Sequence, residues 1–252
     1  MIPNVNYFML PIIDGPEKEG QMMERRTFLK VAGALGLGFF TLARKAKVWA
    51  KGLPSDPGTS TTATSGSDVI ALPPFEKDSR VTLDQALLAR HTSRSYDSGR
   101  SLSREELSRL LWATTGVNRP DGKRTVPSAM AKYPIDVLAA LPEGVYRYEP
   151  KDHKLVKVIS EDIREKIPRQ NAFKKAAMNV LYVINKDKIS GGEIAWADLE
   201  IGCMGQSLFL EAAAMGMGSC IYAYVQYDTV TKALGLKETQ ILRIAQAIGP
   251  VK

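Results

Sequence analysis

The chain has 252 residues, of which 44% are hydrophobic and 24% charged, and these values suit a single globular domain preceded by a leader. The net charge is +7, and residues 51–252 carry only +4, from 27 basic and 23 acidic residues. No cluster of basic and aromatic residues is present either, so a nucleic-acid partner is not expected. Two cysteines, Cys203 and Cys220, are too few for a disulfide framework or a metal-ligand spacing. We expect both to be small buried residues.

A short apolar run, Val31 to Ala43, follows the sequence RRTFLK at 25–30. The run is shorter than the roughly 20 residues that cross a bilayer as a helix. Basic residues before it and the small residues Val48 and Ala50 after it are typical of a secretory signal. RRTFLK resembles the twin-arginine export signal, whose route carries proteins already folded. We therefore expect residues 1–50 to be a leader read by the twin-arginine export machinery, with the mature protein in the periplasm or another extracytoplasmic compartment. A buried helix with a chance arginine pair is the alternative.

Residues 51–71 are rich in Pro, Gly, Ser and Thr, which predicts a flexible linker. The folded domain is then expected to span 72–252. Two helices open it. Thr82 is the expected N-cap of the first, and Ser103 with Glu106 has the spacing of a capping box for the second.

The remaining elements mix strands and helices without strict alternation, which favours the α+β class. A turn-rich loop at 118–134 comes first. Periodicity and β-branched content then predict strands at 135–141, 144–150 and 153–159, a helical span at 160–177, a buried strand at 178–185, a long apolar helix at 193–218, a strand at 219–225, a helix at 228–235 and a closing strand at 241–250.

Several familiar sites are not supported by the sequence. There is no GxGxxG, no P-loop and no HExxH motif, and His91 and His153 are the only histidines, so neither a dinucleotide fold nor a zinc centre is expected. The stretch ARHTSRSYD instead places two arginines and two hydroxyls within residues 90–94. Guanidinium groups bind phosphate oxygens in pairs, so this stretch suits a phosphate monoester. A solvated polar turn is the simpler alternative.

A wider set of motifs occurs in a fixed order: LLARHTSRSYD, then RTVPSAMAKYP, GVYRYEPKDHKL, LEIGCMGQSLFLEAAAMGMGSC and a terminal IGPVK. Together they resemble the FMN-dependent nitroreductase family over about residues 80–252, and most closely its branch of SagB-type dehydrogenases. The resemblance implies a nitroreductase-like fold, with a central mixed or antiparallel sheet flanked by helices, and an intertwined homodimer with FMN at its interface.

The resemblance also implies which residues bind FMN. The phosphate is expected at Arg90, His91, Thr92 and Arg94, and the ring and ribityl chain at Pro127, Ser128, Ala129 and Met130. The family usually has a small residue, commonly glycine, where this chain has Met130.

Further cofactor contacts are implied at the C-terminal half of the domain: Gly216, Gly218, Ala223, Tyr224, Gln206 and Lys252. The main-chain amide of Ala223 or Tyr224 is the expected donor to the reactive flavin N5. Gln206 is as well explained by helix packing, and Lys252 is the only basic residue at the C-terminus that could approach the phosphate.

The function implied is an exported FMN-dependent oxidoreductase that transfers a hydride to or from a small organic substrate through flavin N5. The azoline-forming members carry a Lys-Tyr pair before the long helix, and this chain has NKDKISGGEIAW there, so a reductase or dehydrogenase acting on an unsaturated or quinone-like compound is expected instead. A catalytically silent flavin-binding scaffold and a flavin-fragmenting enzyme are the alternatives.

Overall fold

The computed structural model describes residues 68–75, 81–189 and 194–252. The expected leader at 1–50, with its export signal, and nearly all of the expected linker lie outside the described residues. Across the part of the chain that is described, no helix is both long enough and apolar enough to cross a membrane.

A seven-stranded sheet forms the centre of the domain, in the order β1-β4-β3-β2-β5-β7-β6. All of its strand pairs are antiparallel. The strands are β1 Val69–Ala71, β2 Ile135–Leu141, β3 Gly144–Glu149, β4 Lys154–Ile159, β5 Met178–Asn185, β6 Met217–Tyr222 and β7 Gln240–Pro250. The antiparallel sheet agrees with the expected nitroreductase-like fold.

Five helices flank this sheet in the described residues: α1 Leu83–Ala89, α2 Arg104–Thr115, α3 Asn171–Lys174, α4 Ile194–Ala214 and α5 Tyr227–Leu234. The two expected N-caps are confirmed. Thr82 and Ser103 each form a capping box, accepting from the backbone N–H three residues on, while Gln85 and Glu106 bond back to the N-cap amide.

The core has two parts, one on each face of the sheet. Strand β5 shows how they form, because successive side chains of a strand point to opposite faces. Val180 and Tyr182 lie in the part covered by α2 and α4. Leu181 and Val183 lie in the other part, with Phe173 and other residues of the 163–177 segment and α5. Every residue of β5 before Asn185 is buried, as the sequence predicts for this strand.

Two expected elements differ from the structure. The span 160–177 is not one helix but a 3-10 turn, Arg164–Lys166, and the single-turn helix α3. Pro168 lies between them, where it lacks an N–H to continue a helix and instead forms an isolated bridge with Val225. The long helix ends at Ala214 rather than 218, because Gly216 turns the chain with a φ of 68° and Met217 and Gly218 already pair with β7.

Two smaller corrections concern single segments. Strand β1 falls in the last three residues assigned to the linker, where Val69, Ile70 and Ala71 pair with β4. A strand of three residues is too short to show an alternation of apolar and polar side chains, and the Ser/Thr-rich sequence before it favoured a linker. Cys220 is buried as expected, but the expectation for Cys203 is wrong, since it lies on the exposed side of α4.

Candidate functional site

Residues 90–94, the arginine run, lie against the first residues of β6. The amide of Ser93 donates to the carbonyl of Ser219 at 2.9 Å, and Thr92 forms a parallel bridge with the same residue. Three residues beyond the run, the Asp97 amide donates to the Pro250 carbonyl at 2.9 Å. The run therefore adds backbone pairing along an edge strand, and its position is fixed by main-chain atoms rather than by its own side chains.

Gly218 makes this close approach possible. A Cβ atom at that position would lie 2.6 Å from the Ser93 Cβ and 2.4 Å from a methyl group of Val251, which is closer than non-bonded carbon atoms approach. The buried Tyr96 adds a further tie, because its hydroxyl donates to the Ser93 carbonyl at 2.9 Å. Ser93 is thus held inward, while Thr92 and Arg94 are exposed.

The described residues leave the charges of the arginine run without an acidic partner. Among the ion pairs formed by the described residues, none includes Arg90 or Arg94. The Arg90 guanidinium lies 5.5 Å from the centre of the Phe209 ring on α4. Lys252 follows Val251, which bridges to Tyr96, so the C-terminal lysine is next to the run in space. Unpaired cations beside exposed hydroxyl and amide groups suit an anionic ligand.

A second candidate region is residues 127–133, here called the PSA loop. Its backbone is unusual, because Met130, Ala131 and Tyr133 have φ angles of 51°, 52° and 47°. Such left-handed conformations are uncommon for residues with a Cβ atom. Met130 therefore occupies a conformation that favours glycine. This gives a backbone reason for the glycine that is common in the family where this chain has Met130. Its side chain is 76% exposed.

Side chains hold the PSA loop in this conformation. The Ser128 hydroxyl accepts a hydrogen bond from the Tyr133 amide at 2.8 Å. The Arg124 guanidinium lies 4.2 Å from the centre of the Tyr133 ring and donates to the Thr115 hydroxyl at 3.3 Å. The loop's shape therefore depends on Ser128 and on the stacking of Arg124 against Tyr133.

A cavity of about 250 Å³ lies between the PSA loop and the first turns of α4. Its lining is mostly apolar, with two lysines and one acid: Ser128, Ala129, Met130, Lys132, Pro134, Lys188, Ile189, Trp196, Ala197 and Glu200. A few polar groups in a largely apolar hollow are typical of a small-molecule site.

Glu200 is the acid of this cavity, and it is only 4% exposed. Its Oε1 atom is buried and has no hydrogen-bond partner among the described residues. Burial raises the pKa of the carboxyl group, although the Ser128 hydroxyl and the positive charges of Arg124 and Lys188 oppose that rise. The burial of Arg124 itself lowers the pKa of its guanidinium group. Sequence analysis did not single out Glu200, but an acid within the apolar face formed by Ala197, Ile201 and Met204 was a usable signal.

A larger groove of about 470 Å³ crosses the ends of β3, β2, β5 and β7. Four of its charged side chains pair with each other: Lys188 with Asp136 at 2.9 Å, and Arg147 with Glu149 at 2.5 Å. Arg124, Asp187 and Lys237 also line the groove and form no ion pair with the described residues. No group of three or more His, Cys, Asp or Glu side chains within the described ranges is arranged to hold a metal ion.

The arginine run and the PSA loop do not meet in one chain. The run contacts Phe209 and the start of β6, whereas the PSA loop lies near Trp196 and Glu200. Glu200 and Phe209 are nine residues apart on α4, so at 1.5 Å per residue the two regions are separated by about 13 Å along the helix axis. The expected cofactor contacts thus fall in two separate regions of one chain.

Comparison with known proteins identifies the fold. The sequence profile described as the Nitroreductase family matches residues 87–250, well over half of the chain. The chain belongs to the nitroreductase family. A protein of Methanocaldococcus jannaschii, MJ1384, provisionally named a nitroreductase, is 27% identical over 187 residues, which are 69% of this chain and 92% of that protein.

Two solved structures are similar in fold. A provisional nitroreductase of Ralstonia eutropha JMP134 is 29% identical, with a TM-score of 0.70, over 74% of this chain and 90% of that one. A provisional nitroreductase of Desulfovibrio desulfuricans, solved in complex with FMN, is 19% identical, with a TM-score of 0.51, over 67% of this chain and 86% of that one. This chain is therefore a nitroreductase-family oxidoreductase by descent.

The other expected contact residues of this family member lie around β6 and α4. Gly216 is an exposed turn residue between the two elements. Gln206 is exposed on α4, and Ala223 and Tyr224 are exposed just beyond the last pair of β6 and β7, Tyr222 with Ala245.

A buried polar network underlies β6, and the sequence analysis missed it. Gln246 accepts from the Tyr182 hydroxyl at 2.8 Å and donates to the Ser219 hydroxyl at 2.9 Å and to the Gly205 carbonyl at 3.2 Å. Gln246 therefore ties β7, β6 and α4 together directly beneath the residue that pairs with the arginine run. Its only sequence signal was an amide within a strand of otherwise apolar residues.

Proposed function

We propose that this chain is an FMN-dependent oxidoreductase acting on a small organic substrate. The observation that carries the proposal is the arginine run, where Arg90 and Arg94 have no acidic partner among the described residues and Thr92 presents a hydroxyl beside them. Two free guanidinium groups and a hydroxyl fit the terminal phosphate of FMN. Bound FMN supplies a ring that accepts a hydride from a donor and passes it to an acceptor.

Under this proposal each region has a role. Arg90, His91, Thr92 and Arg94 hold the phosphate, and Lys252 adds positive charge beside them. Ala223 and Tyr224 lie beyond the β6–β7 pairing, so their amides are outside the sheet ladder and suit hydrogen bonding to the ring. Within the PSA loop, Pro127, Ser128, Ala129 and Met130 contact the ring and ribityl chain.

The separation of the two half-sites favours a homodimer. One copy presents the arginine run at one end of α4, and a second copy packed with α4 antiparallel brings its PSA loop to that end. The exposed apolar residues of α4 and α1 supply such a surface: Trp196, Leu199, Leu83, Leu87 and Leu88. A C2 interface of this kind completes two identical sites at once. Light scattering after size exclusion tests this, and a dimeric wild type with a monomeric, flavin-free Leu199→Arg variant is expected.

We propose the SagB-type branch from the sequence motif GVYRYEPKDH, whose residues make specific contacts. The Tyr148 hydroxyl and the His153 Nδ1 atom are 2.8 Å apart, and His153 Nε2 lies 2.6 Å from the Ser108 hydroxyl. The motif therefore joins the β3–β4 hairpin to α2. Since the Lys-Tyr pair is absent, we propose reduction or dehydrogenation of an unsaturated or quinone-like compound rather than azoline formation.

Export is part of the proposal and rests on RRTFLK at 25–30 and the apolar run after it. An exported enzyme meets little NAD(P)H, so we propose a different electron donor. Replacing Arg25 and Arg26 by lysine is expected to keep the protein in the cytoplasm, as fractionation would detect. Rapid reduction of the purified protein by NADH would contradict the donor proposal.

Uptake of FMN by the full-length protein tests the main proposal. Wild type is expected to bind FMN and to prefer it over riboflavin, which lacks the phosphate. Arg90→Ala and Arg94→Ala are each expected to weaken FMN binding about 10- to 100-fold, since each removes a charge-assisted bond, and to leave riboflavin binding unchanged. Arg104→Ala is the matched control, because Arg104 is exposed at the start of α2. A wild type that takes up no FMN would refute the proposal.

A further inference from the structure

The cavity beside the PSA loop combines an apolar lining with a single buried acid. Met130, Trp196 and Ile189 provide its apolar surface, and Glu200 lies at its inner side. The expected flavin contacts of the loop are Pro127, Ser128, Ala129 and Met130, of which the last three also line this cavity, but they do not account for a buried carboxyl group. A buried acid without a complete set of hydrogen bonds is costly, and such groups often serve a ligand.

The geometry of Glu200 leaves one atom unused. Oε1 is buried and unpartnered, while the Ser128 hydroxyl interacts with the same carboxyl group. The positive charge of Arg124 acts on this carboxyl group, but the described residues show no ion pair of the two within 4 Å. Arg124 instead stacks on Tyr133 and bonds to Thr115.

The charged groups around Glu200 come from three segments. Arg124 lies before the PSA loop, Lys188 follows β5, and Lys132 belongs to the loop and lines the same cavity. Lys188 is already paired with Asp136 at 2.9 Å. The cations favour the carboxylate form and burial favours the neutral form, and burial is the larger influence on the carboxyl pKa.

We propose that this cavity binds the electron acceptor as a flat, largely apolar molecule, and that the Glu200 carboxyl group donates a hydrogen bond to an oxygen atom of that molecule. This assignment of the acceptor site rests on the proposed function. Glu200 is then the residue that determines specificity, because it selects compounds with a carbonyl-type oxygen over hydrocarbons of the same shape.

The chemistry of the lining favours an oxygen acceptor over other polar groups. A neutral carboxyl group has one O–H to donate, and Ser128 already interacts with the acid. Lys132 and Lys188 also favour electron-rich oxygen and disfavour a cationic ligand. An apolar ring packs against Trp196 and Met130 while its oxygen reaches Glu200. Quinones, aromatic ketones and conjugated carbonyl compounds share these features.

Paired ligands test the hydrogen bond directly. 1-Indanone and indane have the same flat bicyclic shape, and only the first has a carbonyl oxygen. Binding of each to full-length protein is measured by ligand-observed NMR titration, with and without FMN. Wild type is expected to prefer 1-indanone about three- to tenfold near pH 5, which corresponds to one hydrogen bond. The preference is expected to fall as pH rises, because a carboxylate cannot donate.

Variants separate this role from a structural one. Glu200→Gln keeps a donor, so its preference for 1-indanone is expected to persist but to lose its dependence on pH. Glu200→Leu keeps the apolar volume without a donor and is expected to lose the preference. Glu211→Gln, on the same helix and paired with Arg109, is the control and is expected to behave as wild type. Thermal unfolding verifies that each variant is folded.

Two results would overturn the inference: an equal preference in wild type and Glu200→Leu, or displacement of 1-indanone by FMN, which would assign the cavity to the flavin ring. A protein that discriminates through Glu200 but takes up no FMN would refute the proposed function and leave the ligand site in place. The two proposals therefore fail separately.

Discussion

The arginine run and the PSA loop are positioned by opposite means. The run is held by backbone pairing with Ser219 and by the space left at Gly218, and its arginine side chains are free of ion pairs with the described residues. The backbone bonds of the PSA loop are internal turns, and Ser128 and the Arg124–Tyr133 stack fix its shape. Side chains that carry no structural role are available to bind a ligand, so the run suits recognition of charge. The conformation of the PSA loop is more easily altered by mutation, because single side chains fix its shape.

This contrast makes Gly218, on β6, the most sensitive position in the support of the run. Gly218→Ala places a Cβ atom against Ser93 and Val251, and overpacking of this kind is expected to cost about 3 kcal/mol and to abolish FMN binding. Chemical denaturation and FMN titration provide the measurements. Adding Ser93→Gly removes one of the two obstructing side chains and is expected to restore part of both losses. A fully stable Gly218→Ala protein would show that backbone pairing does not fix the run.

Arg124 is the corresponding position for the PSA loop. Arg124→Met retains an unbranched apolar stem but removes the stacking on Tyr133 and the bond to Thr115, with an expected loss of about 2 kcal/mol. Urea unfolding measures the loss. Lys123→Met is the control, because the neighbouring Lys123 forms only an exposed pair with Asp121 and is expected to change stability by less than about 1 kcal/mol. Equal losses of stability in Arg124→Met and Lys123→Met would show that stacking of Arg124 on Tyr133 does not stabilise the loop.

Glu200 makes the stability of this region depend on pH. Burial raises the pKa of its carboxyl group above the ordinary value of 4.5, so the folded protein binds more protons than the unfolded chain between 4.5 and the raised pKa. Stability is therefore expected to fall with rising pH across that window, by about 1.4 kcal/mol for each unit of the rise. In Glu200→Gln this contribution is absent. Parallel pH slopes of wild type and variant in urea unfolding would contradict the effect.

Met130 is expected to show the smallest change. Its φ of 51° is unfavourable for a residue with a Cβ atom, and its side chain is exposed. Met130→Gly is expected to be about 0.5–1 kcal/mol more stable than Met130→Ala, because both lose the side chain and only the Cβ differs. Thermal unfolding compares the two variants. If alanine is the more stable, the loop does not keep its left-handed conformation in solution.

What could be predicted from the sequence depended on how local the cause was. The N-caps at Thr82 and Ser103 act within one turn, and the strand at 178–185 is recognised from its own apolar residues, so all three were predicted. The pairing of Ser93 with Ser219, and the network around Gln246, join residues far apart in the chain. No local pattern encodes them. The arginine run was identified from its chemistry, but the support beneath it was not.

The PSA loop shows the same limit. Its residues were found through family resemblance, and the departure at Met130 was noticed, but the positive φ angles that explain the usual glycine could not be read from composition. Glu200 was not predicted as a site residue, although it lies on an apolar face of α4, because one acid in a long helix is ordinary. Only the packing of the loop over α4 makes it a buried group. The prediction of a helix at 160–177 is wrong for a local reason, because Pro168 lacks the N–H that a continuing helix needs.

Strand β1 has a consequence for how the domain is tethered. It pairs with β4 at one outer edge of the sheet, while β6 forms the other edge. With about 4.8 Å between neighbouring strands, the two edges are about 29 Å apart. A partner joined directly at Asp68 would therefore lie at the edge of the sheet remote from the arginine run. Such an attachment should leave the edge beside the run accessible from solution.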